Sequence, residues 1–207
     1  MAVATATAAL RRWYLRWGAT DEEVAARLAG DDLLPKADLL ATRAITVHAS
    51  PDRVWPWLAQ MGQGRGGLYS YDWLENLVGC DLHSADRIVP EWQDVAVGDP
   101  FRLHPQATLT VAHVDPGRAL VVRAPRPLDD RAATGRFGPI DFTWAFVLRD
   151  ESGGRWDGGT RLLVRERYAY LAPWAALVAE PVEALSALMS QRMLRGIRDR
   201  AERQAVA

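Results

Sequence analysis

The chain has 207 residues, of which 49% are hydrophobic, and this is enough to bury the core of one globular domain. The formal net charge is -1, so no basic field recruits nucleic acid, and we expect no nucleic-acid partner. Cys80 is the only cysteine, which excludes an intrachain disulfide and favours a reducing, cytoplasmic setting. The longest uncharged stretch, residues 168–179, is too short to span a bilayer.

The first predicted element is an N-terminal helix. Leu10, Trp13, Tyr14 and Trp17 recur at helical spacing and would form one apolar stripe, with arginines around it. Two uses of this stripe compete: docking on the body of the domain, which we favour, or contact with a membrane surface through residues 10–17. Docking predicts that Trp13 and Trp17 are largely buried.

A second short helix is predicted over residues 21–29. Thr20 and Glu23 have the spacing of a capping box, and Gly30 stands where a C-cap would fall. An extended lead-in then follows.

The first predicted strand is followed directly by a helix. Ile45 and Val47 lie on one face of an alternating segment, which is the period of a half-buried strand. After it, Ser50 as N-cap, Pro51 in the first turn and Gly62 at the end are three agreeing helix signals.

The glycines that follow this helix have the spacing GxGxxG. In a dinucleotide-binding fold such glycines leave a strand and open a helix. Here Gly62, Gly64 and Gly67 leave a helix and precede a second one, which begins near Ser70. The pattern therefore indicates a sharp turn, and we expect no dinucleotide or other cofactor.

Beyond Pro90 the sequence predicts strands and then one long helix. Five short segments with strand composition, separated by turn-rich residues, predict an antiparallel meander. The closing helix has an apolar stripe formed by Val182, Leu185, Met189, Met193 and Ile197.

This order of elements is that of the helix-grip fold, an α+β architecture. Residues 41–79, with the later segments DLHSADRIVPEWQDVAVGD and GTRLLVRERY, resemble bacterial members of the SRPBCC superfamily, which includes START lipid-transfer domains, polyketide cyclases and the birch-pollen allergen group. The resemblance covers about Ala41 to Arg203. It implies a curved antiparallel sheet that grips the C-terminal helix over a cavity for a hydrophobic ligand. We therefore predict a helical extension at 1–40 and a helix-grip domain at 41–207, and leave the oligomeric state open.

The last predicted strand carries the main candidate for chemistry. Leu162, Val164, Glu166 and Tyr168 share the face that we expect to point inward. Burial there would raise the pKa of Glu166 and prepare it as a general acid or base. We favour the alternatives that an arginine such as Arg123 neutralises it, or that a bulge turns it outward.

A second candidate region is the loop of residues 80–92, predicted to lie over one end of the cavity. Cys80, His83 and Asp86 have no second Cys or His cluster in a recognised spacing, so we expect no metal site. His83 is predicted as a polar pocket residue. Alternatively, Asp86 and Arg87 pair with neighbouring helices and hold the loop in place.

The leading interpretation is binding or transport of a hydrophobic, lipidic or aromatic small molecule between the sheet and the C-terminal helix. One alternative is a cofactor-independent enzyme resembling a polyketide cyclase or lyase, with Glu166 or His83 as acid or base and Tyr168 as hydrogen-bond donor. Another is a protein-interaction or chaperone-cofactor domain, whose cavity would be filled by side chains. The predicted ligand-binding residues are Tyr69, Tyr71, Trp73, His83, Arg87, Trp92, Trp144, Val164, Glu166, Tyr168, Leu185 and Met189.

Overall fold

Six antiparallel strands form one sheet in the computed structural model, which describes residues 2–77, 79–124, 138–151 and 159–203. The strand order is β1-β6-β5-β4-β3-β2, so the first and last strands are neighbours and the rest form the predicted meander. The strands are β1 (Leu39–Val47), β2 (Pro100–His104), β3 (Ala107–Asp115), β4 (Ala119–Arg123), β5 (Ile140–Asp150) and β6 (Thr160–Tyr170).

Two short helices lie between β1 and β2, as predicted, and one long helix closes the described chain. The long helix packs against β1, β6 and the first of the two short helices. No helix of the described residues is long and apolar enough to cross a membrane. The α-helices are α1 (Ala2–Leu15), α2 (Asp21–Ala25), α3 (Pro51–Ala59), α4 (Asp72–Leu77) and α5 (Ala175–Arg203).

The main core lies between one face of the sheet and the two helices α3 and α5. The inward faces of β1 and β6 contribute Ile45, Leu162 and Val164, which are buried as the alternation predicts. Only the C-terminal half of α5 enters this core, through residues such as Met193 and Ile197. The first half of α5 therefore lies over the sheet without filling the space beneath it.

The opposite face of β6 is covered by the N-terminal extension. Three arginines of β6 hold the extension: Arg161 pairs with Glu23 at 2.6 Å, while Arg165 and Arg167 both pair with Asp31, at 2.7 and 3.3 Å. The alternation of β6 predicts these arginines on one face, but the face is covered rather than solvated.

Helix α2 has its predicted capping box, in which Thr20 and Glu23 cap each other. The prediction that it runs to Ala29 is wrong, because it ends at Ala25. Arg165 donates hydrogen bonds to the carbonyl groups at the end of this helix. In a longer helix these carbonyl groups would accept from the N–H groups of the next turn. The carbonyl acceptors belong to Glu23, Val24 and Ala26.

Helix α1 docks on the body of the domain, but through a face different from the predicted one. Arg11 pairs with Glu180 of α5 at 2.6 Å, and Leu15 is buried beside Tyr14. The predicted burial of Trp13 is wrong, since 55% of its surface is exposed. Leu10 is likewise exposed, because Arg11, Tyr14 and Leu15 point to the domain and turn Leu10 and Trp13 away.

Trp17, just after α1, does pack against the main core and is partly buried. The guanidinium group of Arg195 on α5 lies over its ring, 5.0 Å from the ring centre. The extension is thus attached to α5 and β6, and also to β1, where the Ala44 N–H donates to the Trp17 carbonyl oxygen at 3.1 Å.

We predict that Arg165→Met lowers the free energy of unfolding by about 3 kcal/mol, because three carbonyl groups lose this donor and Asp31 loses the closer of its two arginine partners. Urea denaturation measures the change. The matched control is Arg27→Met in the same extension, where the arginine is exposed and a change within about 0.5 kcal/mol is expected. Equal urea midpoints for the two variants would contradict the structural role of Arg165.

Candidate functional site

A cavity of about 700 Å³ lies between the sheet, α4 and the first half of α5. Most of its lining is apolar and comes from the elements that surround it, among them Leu74, Leu82, Phe142, Trp144, Val182 and Met189. The rings of Phe142 and Tyr168 pack together with their centres 4.8 Å apart. The cavity exists because α5 enters the core only with its C-terminal half.

One wall of the cavity is polar and is centred on Glu166 of β6, which is 1% exposed. Tyr168 donates a hydrogen bond to its Oε2 at 2.7 Å, and Ser186 donates to the same oxygen at 2.9 Å. Ser190 donates to Oε1 at 3.0 Å. Two elements, β6 and α5, thus meet at this carboxylate.

Behind this wall lies a buried arginine with two carboxyl groups. Arg43 of β1 donates from Nη1 to Glu166 Oε1 at 2.9 Å and from Nη2 to Glu183 of α5. Its Nε donates to the carbonyl oxygen of Tyr14 at 2.9 Å. We call Arg43, Glu166 and Glu183 the buried triad; the side chains of all three are at most 1% exposed.

The two glutamates of the buried triad have opposite shifts in pKa. Burial alone would raise the pKa of Glu166, but the charge of Arg43 and the hydrogen bonds that Glu166 accepts hold it below its ordinary value. Burial and the neighbouring Glu166 carboxylate raise the pKa of Glu183 to about 9. At neutral pH the triad therefore holds one cation, one anion and one neutral acid.

Neutralisation of Glu166 by an arginine agrees with the favoured alternative, but the arginine is Arg43 rather than Arg123. Arg123 instead pairs with Asp141 of β5 at 2.6 Å. Arg43 reaches Glu166 because β1 lies beside β6, with Ala41 opposite Glu166. That pairing joins positions far apart in sequence, and no local pattern indicates it.

A second polar spot in the cavity is formed by Ser70 and Glu75. Ser70 donates to Glu75 Oε1 at 2.5 Å, and burial raises the pKa of Glu75. Two polar atoms of lining residues, Glu75 Oε2 and Trp144 Nε1, have no hydrogen-bond partner among the described residues. Both are packed against the protein rather than open to the cavity surface.

The cavity brings together only some of the predicted ligand-binding residues. These are Trp144, Glu166, Tyr168, Leu185 and Met189, all from β5, β6 and α5. Val164 lies deeper, in the main core. The alternation of the last strand and the apolar stripe of the closing helix therefore predicted residues that line the cavity.

The predicted ligand-binding residues from α4 and the neighbouring loops lie outside the cavity lining. Trp73 is 65% exposed on α4, and His83 is exposed next to Asp81, so neither faces the cavity. Tyr71, Arg87 and Trp92 are partly or fully exposed elsewhere. Asp86 pairs with Arg200 of α5 at 2.9 Å, which agrees with the alternative that this loop is held by a neighbouring helix.

Tyr69 supports the fold instead of the cavity. Its hydroxyl group donates to the Trp57 carbonyl at 3.1 Å and accepts from Gln60 at 3.1 Å. Gly196 of α5 lies against its backbone, and a Cβ atom there would stand 2.2 Å from the Tyr69 carbonyl oxygen. Gly196 therefore allows α5 to lie directly against Tyr69.

Sequence reasoning missed Arg43, Glu183, Ser186 and Ser190. The last three had a detectable signal, since they recur at spacings of three and four residues beside the apolar stripe of α5. Polar side chains at such spacing on an inward helix face indicate a polar wall. Arg43 had no comparable signal.

The glycine loop makes the predicted turn between α3 and α4. Gly62 and Gly67 bond to each other through their backbones, and both have positive φ angles, at 123° and 72°. A Cβ atom on Gly67 would stand 2.8 Å from the backbone of Ser84, so the glycine permits close packing of two loops. In the described part of the chain, no group of three or more His, Cys, Asp or Glu residues could hold a metal ion.

The strand order decides the architecture, because the sheet brings its first and last strands together and α5 packs across them. The chain has the helix-grip fold. The predicted α+β class and the predicted helix-grip architecture are confirmed.

Three solved structures that are similar to this chain match it over most of its length. A norcoclaurine synthase point mutant from Thalictrum flavum, in complex with a transition-state analogue, is 14% identical over 81% of this chain and 96% of its own, with a TM-score of 0.44. CalU16 from Micromonospora echinospora is 16% identical over 81% and 86%, with a TM-score of 0.36. A hypothetical protein from Helicobacter pylori is 13% identical over 86% and 96%, with a TM-score of 0.48.

These similarities concern the fold alone, and no activity is transferred from them. No protein-family model matches the sequence, and no curated protein is significantly similar to it. The function must therefore be argued from the cavity itself.

We predict that the stability of the protein falls as the pH rises from 4.5 towards 9, and that Glu183→Gln flattens this decline. Over that range the folded chain keeps a proton on Glu183 that the unfolded chain has released, because its pKa is raised from 4.5 to about 9. Such a group reduces the free energy of unfolding by up to about 1.4 kcal/mol per pH unit. Melting temperatures of both proteins between pH 5 and 9 measure the difference.

The matched control is Glu180→Gln, one turn away on α5, which removes one carboxylate from a partly exposed ion pair with Arg11. It should leave the shape of the wild-type curve unchanged. Parallel curves for the wild type and Glu183→Gln would show that Glu183 is not protonated in the folded protein.

Proposed function

We propose that the protein binds a hydrophobic or aromatic small molecule in the cavity between the sheet and α5. The observation that carries the proposal is the cavity itself, whose volume of about 700 Å³ falls within the range of small-molecule sites. Its lining is mainly apolar, with aromatic surface from Phe142 and Trp144 and one polar wall at Glu166. Apolar walls with a few polar groups are typical of sites that bury a hydrophobic ligand.

The first half of α5 supplies the entrance. Val178, Val182 and Leu185 line the cavity and yet are 40%, 50% and 56% exposed. An apolar side chain that faces both the cavity and the solvent stands at the rim of an opening. A ligand that enters here would cover these side chains, which supplies part of the driving force for binding.

The alternative of an acid–base cyclase or lyase receives less support from the same geometry. Glu166 is ionised and already accepts hydrogen bonds from Arg43, Tyr168, Ser186 and Ser190. A carboxylate with a lowered pKa and four donors is a weak base. The other suggested base, His83, is exposed outside the cavity.

The alternative of a protein-interaction or chaperone-cofactor domain would be favoured by a cavity filled with side chains. The open cavity is the reason for preferring a binding protein.

We predict that Leu185→Glu weakens the binding of a neutral apolar probe at least tenfold, because it places a charge at the rim of the cavity. The matched control is Leu188→Glu, three residues further on the same helix. Leu188 is 48% exposed and does not line the cavity, so its variant should bind within about twofold of the wild type. Titration with N-phenyl-1-naphthylamine, followed by its fluorescence, gives the dissociation constants.

Both variants change an exposed leucine, so similar melting temperatures are expected and serve as the check on folding. Equal weakening by both variants would place the binding site on the outer surface of α5. Absence of saturable binding to the wild type would remove the proposed function.

A further inference from the structure

The polar wall of the cavity presents three hydroxyl groups, those of Tyr168, Ser186 and Ser190. All three lie within hydrogen-bond distance of the Glu166 carboxylate, at 2.7, 2.9 and 3.0 Å. Tyr168 and Ser190 are 5% and 2% exposed, so burial fixes their geometry. The direction of these hydrogen bonds determines which ligand group can meet the wall.

The carboxylate of Glu166 can only accept hydrogen bonds, because Arg43 keeps it ionised at 2.9 Å. Each hydroxyl group therefore uses its single proton on Glu166. A carboxylate offers about four lone-pair positions. Three hydroxyl groups and one guanidinium N–H already occupy that many, and protonated Glu183 is a further donor to the same carboxylate. Glu166 has no further acceptor capacity, and the hydroxyl groups have no further proton.

A hydroxyl oxygen that donates its proton still has two lone pairs with which it can accept hydrogen bonds, and all three residues line the cavity. A ligand O–H or N–H can donate to such a lone pair. A ligand carbonyl, ether or carboxylate oxygen would face these lone pairs without receiving a proton, and burying it there is unfavourable. The wall thus distinguishes ligands by the direction of one hydrogen bond.

We propose that the ligand is a hydrophobic molecule with a hydroxyl or N–H donor that points to Tyr168, Ser186 and Ser190. This inference rests on the proposed function and specifies the chemical class of its ligand. A neutral donor fits better than an ammonium ion, because the charge of Glu166 is balanced by Arg43 and Glu183 is protonated at neutral pH. Phenols and alcohols with an apolar body are the simplest members of this class.

Three probes with the same naphthalene body test the inference: 2-naphthol as donor, 2-methylnaphthalene as its apolar isostere and the larger 2-acetylnaphthalene as acceptor. Competition with N-phenyl-1-naphthylamine gives their affinities for the full chain. The ratio of the affinity for 2-naphthol to the affinity for 2-methylnaphthalene should be about tenfold higher in the wild type than in a variant that lacks two of the three acceptor hydroxyl groups. Because the same affinity ratio is compared between the wild type and the variant, differences in solubility between the probes do not affect the comparison.

The variant is Ser186→Ala with Ser190→Ala, which removes two hydroxyl groups and leaves Tyr168 and Arg43 on Glu166. In it the advantage of 2-naphthol should fall to within about threefold, and the affinity for 2-methylnaphthalene should not fall. The matched control is Ser70→Ala, which removes a cavity serine that donates to Glu75 instead. This control should keep the wild-type ratio, and melting temperatures show that both variants are folded.

The outcomes separate the inference from the function on which it rests. Saturable binding of all three probes with the same ratios in wild type and in both variants would overturn the donor preference but leave the proposed function. Loss of the preference in Ser70→Ala alone would also overturn it. If none of the probes binds, the proposed function fails and the inference fails with it.

Discussion

Arg43 and its two glutamates are the interaction on which the rest of the structure depends. The buried triad joins β1, β6 and α5, which are the first strand, the last strand and the closing helix of the described domain. Removing one partner from a buried ion pair costs about 3–5 kcal/mol, since it leaves an uncompensated charge in the interior. The sheet edge and the helix must therefore be arranged so that all three groups meet, and this arrangement sets the position of α5 over the sheet.

The cavity follows from two different ways in which α5 is held. At its C-terminal half, Gly196 allows the helix to lie directly on the Tyr69 backbone, and Ile197 fills the core beneath it. In its first half the helix is held along one side, by small alanines and by Glu183. The space between its other side and the sheet is not filled by side chains, and this space is the cavity. The same polar contacts that hold the helix also supply the polar wall.

Local sequence patterns predicted most helices and strands, whereas the polar wall of the cavity depends on contacts between residues far apart in the chain. The alternation in β6 identified the inward position of Glu166, and the stripe of α5 identified Leu185 and Met189, because both signals repeat within a few residues. The partner of Glu166 was missed because Arg43 is 123 residues away in the chain. Trp73 was placed wrongly since α4 turns Leu74, not Trp73, towards the cavity, and one short helix gives too few positions to fix its rotation. The end of α2 depends on Arg165 of β6, so the sequence of α2 alone could not predict where the helix ends.

The rim of the cavity has a consequence for how the protein can diverge. Val178, Val182 and Leu185 contact the cavity while contributing little to the buried core, so replacing them would change the shape and polarity of its rim at a small loss of stability. Glu166 and Arg43 have no such freedom, because each supports the other in the interior. Substitutions at the rim can therefore accumulate while the polar wall behind it stays unchanged, and each step costs little of the stability of the fold.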